Sequence, residues 1–209
     1  VSQSQVATIN DIVKVDPGLN LFINPRRNVN QEHSEGAYHG THVAGLMTYD
    51  RPDFGLMSYR IIPSNYNADP DFDADGEVIQ MIADAVDQSA NDGAKIVNMS
   101  IGLNFESSVL KEDGAKAVDK MNKMMKYLEQ VSDAIKRHPV VLFVVAAGNE
   151  NDWRDDKNRL NLPCGIKSPN VLCVGALRAN GEPTSFTSIP ISGVDLVFAL
   201  GHKVLSTIP

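Results

Sequence analysis

Short, almost wholly apolar runs recur along this chain with amphipathic stretches between them, and that alternation limits its architecture more than any other feature. Val140–Ala146 and Val171–Ala176 are the clearest runs, and Val6–Ile9, Leu56–Ile62, Ile96–Met99 and Leu196–Phe198 read the same way. A strand that is apolar on both sides of its pleat needs cover on both faces, which is the habit of parallel sheets. Between the runs, Val78, Ile79, Ile82 and Val86 fall on one helical face, and Gly93 offers a stop. Val118, Met121, Met125, Leu128, Val131 and Ile135 make a second helical stripe that ends near Pro139. Met121, Met124 and Met125 read as adaptable core filler. The alternation predicts an α/β fold, a mostly parallel sheet with helices on both faces. A length of 209 residues suits one domain over 1–209 with a sizeable core.

Composition removes several function classes. Asp and Glu total 26 against 19 Lys and Arg, a net charge of -7, and no basic stretch is dense enough for a nucleic-acid groove. The apolar runs are too short to span a bilayer. Polar residues follow Val1, so no signal-peptide pattern is visible and any targeting segment lies outside these residues. No glycine-rich phosphate loop follows Val6–Ile9, which argues against a dinucleotide enzyme. Ser64–Gly76 is polar and acidic and reads as a solvated loop. Asp71, Asp73, Asp75 and Gly76 match the opening of a calcium loop, but its twelfth position is Ile82 where a bidentate Glu is needed. Cys164 and Cys173 leave two states open: a bridge, which fits an exported protein, or two buried thiols packed as small hydrophobes.

The chemistry concentrates in three blocks. His39-Gly40-Thr41-His42-Val43-Ala44-Gly45 places two histidines three apart among small residues. Gly40 and Thr41 suit a helix start at or next to His39, and Val43-Ala44-Gly45 offers a small face for close packing. An imidazole titrates near neutral pH and can take a proton from a hydroxyl and return it to a leaving amine. Metal binding fits poorly, because zinc peptidases of the HExxH type space their histidines four apart around a Glu. Asn98-Met99-Ser100-Ile101-Gly102 and Val145-Ala146-Ala147-Gly148-Asn149-Glu150 each end an apolar strand. Side chains there project into the crevice where open α/β sheets bind ligands.

In this order the three blocks resemble the subtilisin-like serine peptidases. The resemblance covers nearly the whole chain. It implies a subtilisin-like fold and endopeptidase chemistry by a Ser/His/Asp mechanism on a peptide or protein substrate, with no cofactor and no metal. It makes His39 the general base, leaving His42 a buried, hydrogen-bonded structural role. It makes Asn149 the oxyanion donor; losing such a donor costs on the order of 10²–10³ in rate, a magnitude that belongs to subtilisin's own asparagine. Ser100, Ile101, Gly102, Ala146, Ala147 and Gly148 become the substrate wall, where an extended peptide can pair by strand addition. A secreted or periplasmic location is also implied.

The chain departs from the family at two triad positions. The family's first strand ends in Asp, whereas Val6-Ala7-Thr8-Ile9 is followed by Asn10, in a register supported by Asp16-Pro17-Gly18-Leu19-Asn20. Asp11 is adjacent but points to the opposite side of a strand. An Asn in place of the aspartate lowers the rate of a trypsin-type triad by about 10⁴. The Gly-Thr-Ser block that carries the family's nucleophile is absent. Ser185, Ser188, Ser192 and Ser206 all lack its setting, and Ser206-Thr207-Ile208-Pro209 resembles the segment just before it. The expectation is a subtilisin-like fold lacking its C-terminal part and inactive by itself. Three readings stay open: its serine lies on a second chain, its aspartate was deliberately replaced, or the protein is a natural pseudopeptidase that binds peptides or proteins without cutting them.

Overall fold

The structure is a computed structural model describing residues 35–49, 53–61, 74–104, 114–151, 161–189 and 193–207. The expected strand Val6–Ile9 lies outside them, as does most of the acidic loop. The chain forms two compact units, Val1–Arg60 with Leu205–Pro209, and Ile61–Val204.

In the first unit, helix α1 spans Glu35–Thr48. It begins four residues before His39, so the expected start at His39 is corrected: the histidine sits a full turn inside. Gly40 is therefore an exposed helical residue and not a turn. The small face functions as its composition suggested. A Cβ at Gly45 would overlap the side chains of Ser206 and Thr207. The Ser206 hydroxyl donates to the His42 carbonyl at 2.6 Å, and the Thr207 hydroxyl donates to the Thr41 carbonyl at 2.9 Å. A mid-helix glycine costs roughly 0.5–1 kcal/mol relative to alanine; here it lets a second segment come against the helix backbone. The expected strand Leu56–Ile62 does not form over 56–61, which join no ladder. Apolar continuity does not by itself specify sheet pairing, and here Phe54 and Met57 are exposed.

The second unit runs α2 (Ala74–Asn91), β1 (Ile96–Met99), β2 (Leu103–Asn104), α3 (Ala115–Lys136), β3 (Leu142–Ala146), β4 (Asn161–Leu162), β5 (Val171–Leu177) and β6 (Leu196–Leu200). Four strands form one sheet in the order β1-β3-β5-β6, and every pairing in it is parallel. This is the α/β parallel sheet that the apolar runs imply. β2 and β4 make a separate two-residue antiparallel pair.

The core sits between the sheet and the two helices. Phe143, Val145 and Ala147 point inward with Val171 and Cys173, and they meet Val78, Ile79, Ile82 and Val86 of α2 and Val131, Ala134 and Ile135 of α3. Truncating a fully buried Phe such as Phe143 costs about 3–5 kcal/mol. Met125 and Val118 correct the expected core stripe, being 41% and 61% exposed. Gln80 bonds to Gln130, and Asp87 bonds to Arg137 and His138. The two helices thus run in step with an offset of about fifty residues.

Two polar nodes hold the helix ends. Asn170 is buried, and its amide nitrogen donates to the carbonyls of Ile135, His138 and Val141 at 3.1–3.3 Å. Its carbonyl oxygen accepts the Ser168 hydroxyl at 2.6 Å. One side chain thereby bridges the end of α3 and the start of β3, adding to the backbone bonds that the Ile135 and His138 carbonyls already accept from the His138 and Val141 amides. The second node is Asp87, which accepts from Arg137 Nη2 at 2.6 Å and lies 2.7 Å from His138 Nε2. The Arg137 hydrogen bond holds the Asp87 carboxyl below the usual carboxylate value, against the opposing effect of burial, with help from His138.

Asn170→Ala removes a buried side-chain donor, and of its three acceptors the Ile135 and His138 carbonyls keep their backbone bonds. A loss of about 1–3 kcal/mol is expected, the cost of one buried polar group left without that partner; urea unfolding measures it. Because the folded Asp87 pKa lies below the unfolded one, its contribution is present above pH of about 3.9 and is lost as pH falls through the folded value. The pair is solvent-accessible, so the gain is about 0.2–1 kcal/mol. Asp87→Asn should flatten the acid limb of a stability–pH curve by that amount and leave stability unchanged below pH of about 2.

Candidate active site

The site residues divide between the two units. In the first, His39 is exposed on α1, its ring open to solvent. His42, three residues on, is half-buried and not fully buried as the sequence suggested. Its part in holding the structure is carried by its carbonyl, which accepts from Ser206. Ser206 is thus occupied in anchoring the helix that carries His39. Asn10 lies outside the described residues, and with it the expected Asn10–His39 contact.

In the second unit, the sheet register places the other two blocks side by side. β1 pairs with β3 in parallel, with Met99 opposite Val145. The segments that leave these strands, Ser100–Gly102 and Ala147–Asn149, therefore emerge from neighbouring strands at the same carboxyl edge. Ser100–Gly102 lies between β1 and β2, outside both ladders. The Asn98 side chain donates to the Ser100 hydroxyl at 2.9 Å, and Ile101 packs against the core. These contacts orient the segment from below and leave Gly102 exposed.

The loop after β3 is shaped by its backbone. Ala147 is buried and donates to the Val174 carbonyl at 3.0 Å, extending the β3–β5 ladder by one bond. Gly148 has φ 108°, a conformation that side-chain-bearing residues rarely adopt. The chain turns there, and Asn149 comes out exposed just beyond the sheet. An amide at that place can donate to an oxygen in the crevice above the strands.

A set of small polar residues that sequence reasoning passed over holds this loop. The Ser188 amide donates to the Gly148 carbonyl at 3.1 Å. The Glu150 amide donates to the Ser188 hydroxyl at 3.2 Å, and that hydroxyl donates to Glu150 Oε2 at 3.1 Å. The Asn151 amide donates to the Phe186 carbonyl at 2.8 Å. Thr184, Thr187 and Ser188 are all buried. Thr184 donates its amide to the Ala176 carbonyl, and Thr187 Oγ1 accepts from the Ala176 amide, which fastens their segment to the end of β5. Apolar periodicity carries no signal for such residues; the cue available was a Ser/Thr cluster directly after a strand and turn.

Cys164 and Cys173 are bridged, which settles the pair left open by the sequence. Their Cα atoms are 5.3 Å apart, inside the normal range for a disulfide. Cys173 lies in β5, and Cys164 follows β4, whose partner β2 continues from Gly102. The bridge thus ties the sheet to the strand pair that follows the substrate wall. Such bonds persist in oxidising compartments. Among the described residues, no helix is long and apolar enough to cross a membrane, and no group of three metal-ligating side chains gathers.

A parallel α/β sheet with the Ser100–Gly102 and Ala147–Asn149 segments at one carboxyl edge defines an open α/β protein. The family is specific: the subtilase profile matches residues 15–202, and the chain belongs to the subtilase family. It is 27% identical to subtilisin DY of Bacillus licheniformis over 178 residues, covering 85% of this chain and 56% of that protein. It is 29% identical to subtilisin BL of Lederbergia lenta over 177 residues, covering 84% and 55%. The chain thus spans about half the length of these relatives. In fold it is similar to a lanthipeptide protease, with a TM-score of 0.52 and 21% identity over 78% of this chain and 43% of that one. It is similar also to the patellamide maturation protease PatG, with a TM-score of 0.51 and 17% identity over 100% and 56%.

Replacing both cysteines by alanine should lower unfolding free energy by about 2–3 kcal/mol, as expected for a loop of this size. Guanidinium titration of the oxidised, reduced and Cys164→Ala/Cys173→Ala forms measures it, and the reduced and substituted forms should agree within about 1 kcal/mol.

Proposed function

We propose that this chain is the scaffold of a serine endopeptidase site that hydrolyses peptide bonds, with His39 as general base and Asn149 as oxyanion donor. The observation that carries the reading is the pairing of β1 with β3, which sets Ser100–Gly102 and Ala146–Gly148 beside each other at one edge. In that arrangement an extended peptide lies against Ser100–Gly102 by strand addition. Its scissile carbonyl oxygen is polarised by the Asn149 amide. His39 takes the proton of the attacking hydroxyl and delivers it to the leaving amine. Asn10 stands where the family places the aspartate that steadies this imidazole, and an amide cannot supply that negative charge. The disulfide supports a secreted or periplasmic setting.

The residue at Asn10 and the lack of a Gly-Thr-Ser block in the 209 residues support a second reading. In it the same edge binds peptides without cutting them, or receives its serine from a second chain. A fluorophosphonate probe with mass spectrometry separates the readings. The 209-residue chain by itself is expected to take no label and hydrolyse no peptide. A labelled serine within residues 1–209, with turnover, overturns the assignment of an absent nucleophile. A labelled co-purifying chain establishes a divided site, and peptide binding with no label anywhere establishes the binding module. Where turnover is present, Asn149→Ala should lower kcat by about 10²–10³, and Asn10→Asp should raise it by up to about 10⁴. Loss of turnover in Asp11→Asn would move the acid one residue along.

A further inference from the structure

We propose that Ser188 is a positioning residue for Asn149, a buried clamp that fixes the loop presenting the oxyanion donor. This rests on the reading of Asn149 given above and adds a residue to it.

Ser188 holds the two residues that flank Asn149. Its amide donates to the Gly148 carbonyl, and its hydroxyl accepts from the Glu150 amide while donating to the Glu150 carboxylate. The hydroxyl thus serves Glu150 as both acceptor and donor. Ser188 itself is 3% exposed. The clamp has a firm base. Thr187, next to it, accepts from the Ala176 amide, and the Thr187 amide donates to Thr184 Oγ1. The Asn151 amide reaches the Phe186 carbonyl and closes the far side of the turn.

The loop needs such a clamp because it leaves the sheet at Gly148. Gly148 has φ 108°, in a region where glycine has wide freedom. A side-chain donor helps a transition state only if it is already aimed, because reorganisation at the moment of reaction cancels the gain. Without the Ser188 hydroxyl the Glu150 amide loses its partner, and Asn149 swings on a glycine hinge. The chemical step weakens more than peptide binding does, since the loss falls on the transition state.

The test uses Ser188→Ala, Asn149→Ala and the double variant, with amide hydrogen exchange and, where turnover is present, peptide hydrolysis. Ser188→Ala should speed exchange at residues 149–151 and, with turnover, lower kcat about tenfold with KM within about twofold. In the Asn149→Ala background the same change should cost nothing further, because a residue acting through Asn149 has nothing left to aim. Exchange reads the clamp whatever the turnover. Asn170→Ala, destabilised elsewhere, should keep kcat at temperatures where it is folded, which separates positioning from general loosening. If Ser188→Ala fails to fold, Glu150→Ala removes one of the two side-chain bonds and should show the same pattern at about threefold. Additive losses in the double variant, or unchanged exchange at 149–151, overturn the clamp. An unchanged kcat in Asn149→Ala overturns the oxyanion reading instead, leaving the exchange result to decide whether Ser188 orders the loop.

Discussion

The pairing of β3 with strands on either side is the constraint from which the rest of the second unit follows. β3 is bonded to β1 on one edge and β5 on the other, both in parallel. Its alternate residues Phe143, Val145 and Ala147 go into the core. A shift of one residue would turn them all to the opposite face. Register is thereby fixed, and with it the level at which each strand stops. Since parallel strands end at the same edge, the loops bearing Ser100–Gly102 and Asn149 must be neighbours. The site is a by-product of burying one strand correctly.

The apolar core sets the level of the loops, and polar contacts set their shape. Backbone groups that leave a ladder inside a protein must find partners. At the amino end of β3 this falls to Asn170, which collects three carbonyls where helix gives way to strand. At the carboxyl end it falls to Ser188 and to the threonines beside it. The two ends follow the same rule with different consequences. The Asn170 node is buried, whereas the Ser188 node borders the exposed Asn149. The disulfide adds a third fixed point, joining β5 to the strand pair beyond Gly102.

Family membership and the residues at hand bear on activity in different ways. The subtilase profile covers residues 15–202, and the relatives are matched over about half their length. The sheet, the His39–Gly45 block and the Val145–Glu150 block fall inside that match. Asn10 precedes its first residue, so the match carries the fold and these blocks and does not extend to Asn10.

The sequence by itself determined the α/β class, four strands of the parallel sheet, both long helices of the second unit and the three blocks that mark the family. Each of those signals is local or periodic, so a run of apolar residues or a spaced stripe announces it. It did not determine which apolar residues are covered. Val118 and Met125 look like core but lie exposed, because periodicity marks a face and not what covers it. Leu56–Ile61 looks like a strand but joins no ladder, because an apolar run does not by itself specify sheet pairing. The same reason hid Ser188. A serine reads alike on a surface or under a loop, and only the tertiary structure, by bringing residues 38 apart into hydrogen-bond contact, decided that this one holds the loop of Asn149.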